Sequence, residues 1–176
     1  MRSGLLVLAL LLGIAGLLAM ALLTPEIAGS AGAGPPEIAG MRIGGDGAAR
    51  WEPIAFAGFL LQCLTIGFVG LLVVMSVPRR LRSKGFWAGL LLYAGLALFV
   101  WIQINTSYRH YLQSSETSFF LGFPTPSAWM IYGVWSSALI LVGLYVFGFR
   151  RFVLTREDEA RFEALLAERR RTRGGM

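Results

Sequence analysis

Four stretches of this chain, Gly4 to Leu23, Pro53 to Val77, Phe86 to Ile104 and Ala128 to Phe149, contain no Asp, Glu, Lys, Arg or His. A hydrocarbon core about 30 Å thick is crossed by roughly 20 helical residues, so each stretch is long enough to span it, the second with some tilt. An isolated strand would leave its backbone N–H and C=O groups unpaired in lipid, so the stretches are expected to be helices. The expected fold class is all-α, an integral membrane bundle of four transmembrane helices with a short cytoplasmic C-terminal amphipathic helix. Charged residues make up 15% of the 176 residues and hydrophobic residues 56%, with a mean hydropathy of +0.64. Those values exclude a disordered tail, a disulfide scaffold and a typical water-soluble enzyme. The lone Cys63 carries no information about redox compartment.

The charges lie between the stretches, and their sign sets an orientation. Residues 78–85 hold Arg79, Arg80, Arg82 and Lys84 with no acid, and residues 150–176 hold Arg150, Arg151, Arg169, Arg170, Arg171 and Arg173. Residues 24–52 set Glu26, Glu37, Asp46 and Glu52 against Arg42 and Arg50, and residues 105–127 hold Arg109 and Glu116. Positive loops stay in the cytoplasm. Both termini are therefore expected inside, in a multi-pass membrane protein. The net charge of +6 is read as this asymmetry and not as a nucleic-acid surface. Trp51, Phe86, Trp87, Trp101 and Trp129 fall near the segment ends, as an interfacial aromatic belt would require. Residues 1–23 also resemble a secretory signal peptide, with Arg2, an apolar core and Ala19-Met20-Ala21. A retained first helix is the favoured reading, because the apolar run continues into Leu22 and Leu23.

The two loops opposite the basic ones differ in kind. Residues 24–52 are rich in Gly, Ala and Pro and carry Pro-Glu-Ile-Ala-Gly twice, at 25–29 and 36–40, which reads as a flexible linker. Residues 105–127 are dense in aromatics and end in Gly122-Phe123-Pro124-Thr125-Pro126. Side chains this apolar are unfavourable in free solvent, and the two prolines fix the chain direction. Ser127 is the expected cap of the fourth helix. Phe119, Phe120, Phe123, Pro124, Pro126 and Trp129 are the partner-docking candidates, a rigid turn into the helix being the plainer reading of the same residues.

No catalytic constellation emerges. His110 stands alone, Glu116 has no second carboxylate, and no phosphate-cradling glycine motif is present, so no enzyme, metal or cofactor is expected. Proton relays and ion-coupled carriers place ionisable groups at membrane depth, and these stretches hold none. Ala9, Gly13, Gly16, Ala19, Gly67, Gly70, Ala88, Gly89 and Gly95 favour close helix packing, and Gln62, Thr65, Ser136 and Ser137 are candidates for interhelical hydrogen bonds. After the fourth stretch, Thr155 and Asp158 have capping-box spacing, and Glu157 and Arg161 form an i, i+4 pair. Phe162, Leu165 and Leu166 make a narrow apolar stripe. With Arg79, Arg80, Arg82, Lys84, Arg150 and Arg151 they are candidate contacts for membrane lipids or a partner on the cytoplasmic side.

The stretch Phe119-Phe120-Leu121-Gly122-Phe123-Pro124-Thr125-Pro126-Ser127-Ala128-Trp129, with the Arg150-Arg151 exit and the charged tail, resembles small bacterial membrane proteins that accompany sodium/solute symporters. That resemblance covers the C-terminal third and implies an accessory or assembly subunit, with transport chemistry in a larger membrane partner. Two other readings stay open. One is a small homo-oligomeric transporter or channel lined by Gln62, Thr65, Ser136 and Ser137. The other is an outer-face sensor built on residues 108–126.

Overall fold

Runs of Leu, Ala, Val and Gly without internal charge or proline pair their backbone groups most simply as helices. The computed structural model, which describes residues 2–28, 30, 32–34 and 45–174, is all-α in class with one two-stranded hairpin. Its helices are α1 (Arg2–Leu23), α2 (Gly47–Trp51), α3 (Ala55–Ser76), α4 (Lys84–Ser114), α5 (Thr125–Ala128), α6 (Val134–Gly148) and α7 (Arg156–Gly174). The hairpin pairs β1 (Phe119–Phe120) with β2 (Phe123–Pro124). A 3-10 turn at Glu52–Ile54 joins α2 to α3, and π-helical turns occupy Trp129–Gly133 and Phe149–Val153. Among the described residues, four helical spans are long and apolar enough to cross a membrane: Ser3–Leu23, Gly47–Ser76, Lys84–Ser114 and Thr125–Val153. The second copy of the repeated pentapeptide, at 36–40, lies outside the described residues.

The third span is longer than its apolar run. The apolar run ends at Ile104, but α4 continues through residues 105–114, which the sequence assigns to a loop. Polar side chains there bond back to their own helix: Asn105 Nδ2 donates to Trp101 O, and the Thr106 hydroxyl to Ile102 O. Ser115 ends the helix in the left-handed region at φ 57°, its amide bonded to Tyr111 O. The cap of the fourth span also differs from expectation. Ser127 lies inside α5, and Pro124 takes the N-cap position without a side-chain bond.

Helix α4 is central, packed between α3 and α6, and α1 packs on α3. Of α4's apolar window 22% is buried, against 0% of α1's, so α1 is the peripheral helix. The core sits at the end of the bundle carrying the Arg79–Lys84 loop, hereafter the basic end. There Val77, Phe86, Leu90, Tyr93 and Phe152 form one buried cluster. Phe86 is its most buried member at 1% exposure, edge-on to Phe152 at 5.6 Å between ring centroids. It is therefore a core residue and not a belt residue, because the turn at Phe149–Val153 folds Phe152 back over it.

Glycines allow close contacts between helices. A Cβ on Gly13 of α1 would lie 3.1 Å from Leu64 of α3, and one on Gly89 of α4 would lie 2.7 Å from Leu144 of α6. Gly16, Gly67 and Gly95 have nothing within 4 Å and close no contact. The expected interhelical hydroxyl bonds do not form: Thr65 donates to Leu61 O, Ser136 to Tyr132 O and Ser137 to Val134 O, each within its own helix. Short hydroxyl side chains within a helix readily bond the carbonyl three or four residues back. Large apolar side chains remain on the outside of every span, among them Leu12, Phe56, Leu91 and Phe147. A water-soluble surface rarely carries so much contiguous apolar area.

Candidate functional site

Opposite the basic end lies an aromatic end, where the hairpin stands over the start of the fourth span. Phe119 pairs with Pro124 and Phe120 with Phe123, leaving Leu121 and Gly122 as the turn at φ 48° and 84°. Both angles are positive, as a tight two-residue hairpin requires. Glycine adopts that conformation freely. Leucine does so at a cost of about 1–2 kcal/mol, and Leu121 is nevertheless 69% exposed. A clasp closes the hairpin base: the Thr125 amide and hydroxyl both donate to Ser118 O, at 2.9 and 2.8 Å, and the two hydroxyls meet at 2.6 Å.

Tyr132 supports the hairpin from below, meeting Phe120 and Phe123 edge-on at 6.0 and 6.2 Å. Beside it opens a groove of about 710 Å³ between α4 and the fourth span. Its walls are mainly Leu96, Phe99 and Val100 of α4 and Trp129, Tyr132 and Gly133 of the π-helical turn, with Phe119 and Phe120 along the rim. Phe99 meets Trp129 edge-on at 5.7 Å. Single-turn π segments recur at functional sites. Here the turn widens the helix where Gly133 passes Val100.

Of the six docking candidates, Phe119, Phe120 and Trp129 border this groove. Phe123 is on the hairpin but outside the groove, Pro124 closes the strand pair, and Pro126 sits in the first turn of α5. Leu96, Phe99, Tyr132 and Gly133 were not singled out by the sequence. They lie in charge-free stretches, where one apolar residue resembles the next until two helices are placed side by side.

At the basic end the nine candidates separate. Arg80 pairs with Asp158 and Arg150 with Glu159 at 3.6 Å, so these two arginines clip the first turn of α7 to the bundle. Arg82 Nε donates to Val77 O at the end of α3. Arg79, Lys84 and Arg151 are exposed. The capping box is present: Asp158 N bonds Thr155 Oγ1 at 3.2 Å, while Asp158 Oδ2 accepts from the Thr155 hydroxyl at 2.7 Å and its amide at 3.4 Å. The Thr155 hydroxyl, with Arg80 adding to it, holds the Asp158 carboxyl below its ordinary range. Phe162, Leu165 and Leu166 are uncovered on α7.

His110 Nδ1 lies 3.4 Å from the Ser114 hydroxyl, and both residues are exposed. Among the described residues no three His, Cys, Asp or Glu side chains converge as a metal site would require. No protein-family model matches the chain, and no curated protein or solved structure is significantly similar to it.

Proposed function

We propose that this chain is a four-span protein of a bacterial inner membrane, with both termini in the cytoplasm, and that it serves as a non-catalytic accessory or assembly subunit of a larger membrane transporter. The observation that carries this reading is the hairpin over its groove. Phe119, Phe120 and Leu121 are 71%, 57% and 69% exposed, yet their backbone is fixed by the Ser118–Thr125 clasp and by a left-handed leucine. A fixed, strained and uncovered aromatic edge is a surface prepared for another protein. The charge asymmetry of the loops supports the orientation. The basic residues left exposed, Arg79, Lys84 and Arg151, suit anionic headgroups on the cytoplasmic side.

The test is purification in mild detergent from the native host, comparing wild type with the Phe120→Ser, Phe123→Ser double variant. A larger membrane protein should accompany the wild type and be lost by more than tenfold from the variant. Burial of each Phe is worth about 1.5–3 kcal/mol, and 1.4 kcal/mol is one factor of ten. A homo-oligomer alone in both preparations would refute the accessory role.

A further inference from the structure

A second site lies at the aromatic end, between α3 and α4. Here an apolar slot of about 280 Å³ is walled by Phe56 and Phe59 of α3 and Ile102 of α4, and Arg109 stands at its head. An adjoining cleft of about 350 Å³ shares Arg109 and Ala55 and includes Trp51, Glu52 and Gln113. The Arg109 guanidinium carbon lies 5.0 Å from the centre of the Trp51 ring, and Trp51 is itself held edge-on by Tyr108 at 5.9 Å. Stacking of this kind fixes a guanidinium while leaving the N–H groups around its edge available. Arg109 is exposed and makes no ion pair with any described residue, although Glu52 lines the same cleft. The other polar side chains of the slot are already bonded, Asn105 to Trp101 O and Thr106 to Ile102 O. The slot thus offers one fixed cation above an apolar channel.

Depth gives the arrangement its meaning, on the reading above that the helices span a bilayer. Arg109 is five residues beyond Ile104, the last residue of the apolar run before the polar Asn105, Thr106 and Ser107, or about 7 Å further along the helix axis. That is the level of lipid headgroups, just outside a hydrocarbon core about 30 Å thick. We infer that the slot between α3 and α4 binds an anionic phospholipid, its phosphate on the Arg109 guanidinium and an acyl chain along Phe56, Phe59 and Ile102. A free phosphate would use the arginine without the channel, and an uncharged lipid the channel without the arginine.

The experiment uses the full chain in vesicles containing phosphatidylglycerol with a photoactivatable group in its acyl chain, the cross-links being mapped by mass spectrometry. Cross-links at exposed Leu91 and Phe147 report ordinary bilayer contact and serve as the reference. Relative to them, the wild type should be enriched in cross-links at residues 55–59 and 102–106. Arg109→Gln should lower that enrichment about fivefold, Arg109→Lys should retain most of it, and Glu52→Gln should raise it. Photoactivatable phosphatidylcholine should show no enrichment, and excess inorganic phosphate should not displace the lipid. Equal enrichment in wild type and Arg109→Gln, equal enrichment with phosphatidylcholine, or displacement by inorganic phosphate would each overturn the site. Cross-links at Leu91 and Phe147 without enrichment at the slot would overturn the site alone. Absence of cross-links everywhere would overturn the membrane reading with it.

Discussion

Gly133 sets its bare Cα against both methyl groups of Val100: a Cβ on Gly133 would lie 2.7 Å from one and 3.0 Å from the other, and 3.2 Å from the Trp129 ring. Val100 is 2% exposed and stiff at χ1, so it has no free direction in which to withdraw. Gly133→Ala should therefore lower stability by about 1–3 kcal/mol, the usual cost of overpacking. Gly95→Ala, which meets nothing within 4 Å, should leave stability unchanged or raise it by up to about 1 kcal/mol through helix propensity. Thermal unfolding in detergent, followed by circular dichroism, compares the two. Equal effects would mean that the α4 contact with the fourth span is not set by Gly133.

The hairpin separates local stability from docking. Leu121 occupies a left-handed position at φ 48° that Asn tolerates better. Leu121→Asn should stabilise the hairpin by about 1 kcal/mol while reducing partner recovery. Hydrogen exchange at residues 118–125 reads the first effect and co-purification the second. Partner recovery that rose with hairpin stability would show that the leucine side chain takes no part in docking.

Attachment of α7 should depend on acid in one direction only. Because the Thr155 hydroxyl and Arg80 lower the Asp158 pKa below its ordinary 3.8, the contribution of this carboxylate to docking is fully present above that value. It is lost as the pH falls through the depressed one. The distance between spin labels at Gly85 and Ala160 should stay narrow at neutral pH and broaden only below about pH 3.8. Asp158→Asn should broaden it at every pH. Broadening of the wild type at pH 5 to 6 would place the control elsewhere.

Orientation is checked by labelling cysteines with an impermeant reagent in intact cells, in a Cys63→Ala background. On the proposed orientation, which keeps the arginine-rich loops in the cytoplasm, a cysteine at exposed Glu116 should react and one at exposed Glu157 should not. Reaction at Glu157 alone would reverse the orientation.

The four spans were legible because they depend on an additive property, the absence of charge over some twenty residues. The end of α4 was not. Asn105, Thr106 and Ser107 signal the end of an apolar run, but each bonds back to its own helix and carries it to Ser114. The capping box at Thr155 was readable because it needs two residues at fixed spacing and nothing distant. The groove needed distant information, since Leu96, Phe99 and Val100 meet Tyr132 and Gly133 only once α4 and the fourth span are paired. No residue type announces the π-helical turn that shapes it. Thr65, Ser136 and Ser137 were expected between helices because their chemistry allows it. Their short reach directs them to the nearest carbonyl instead.

The uncovered hairpin is proposed as an edge held ready for a larger membrane protein. Its most direct test is site-specific photo-cross-linking in living cells, with benzoylphenylalanine in place of Phe119, which is 71% exposed on the groove rim. One dominant adduct to a larger membrane protein is expected, abolished by the Phe120→Ser, Phe123→Ser changes and absent when the probe replaces Leu91 on the exposed outer face of α4. Adducts only to lipid, or only to a second copy of this chain, would contradict it.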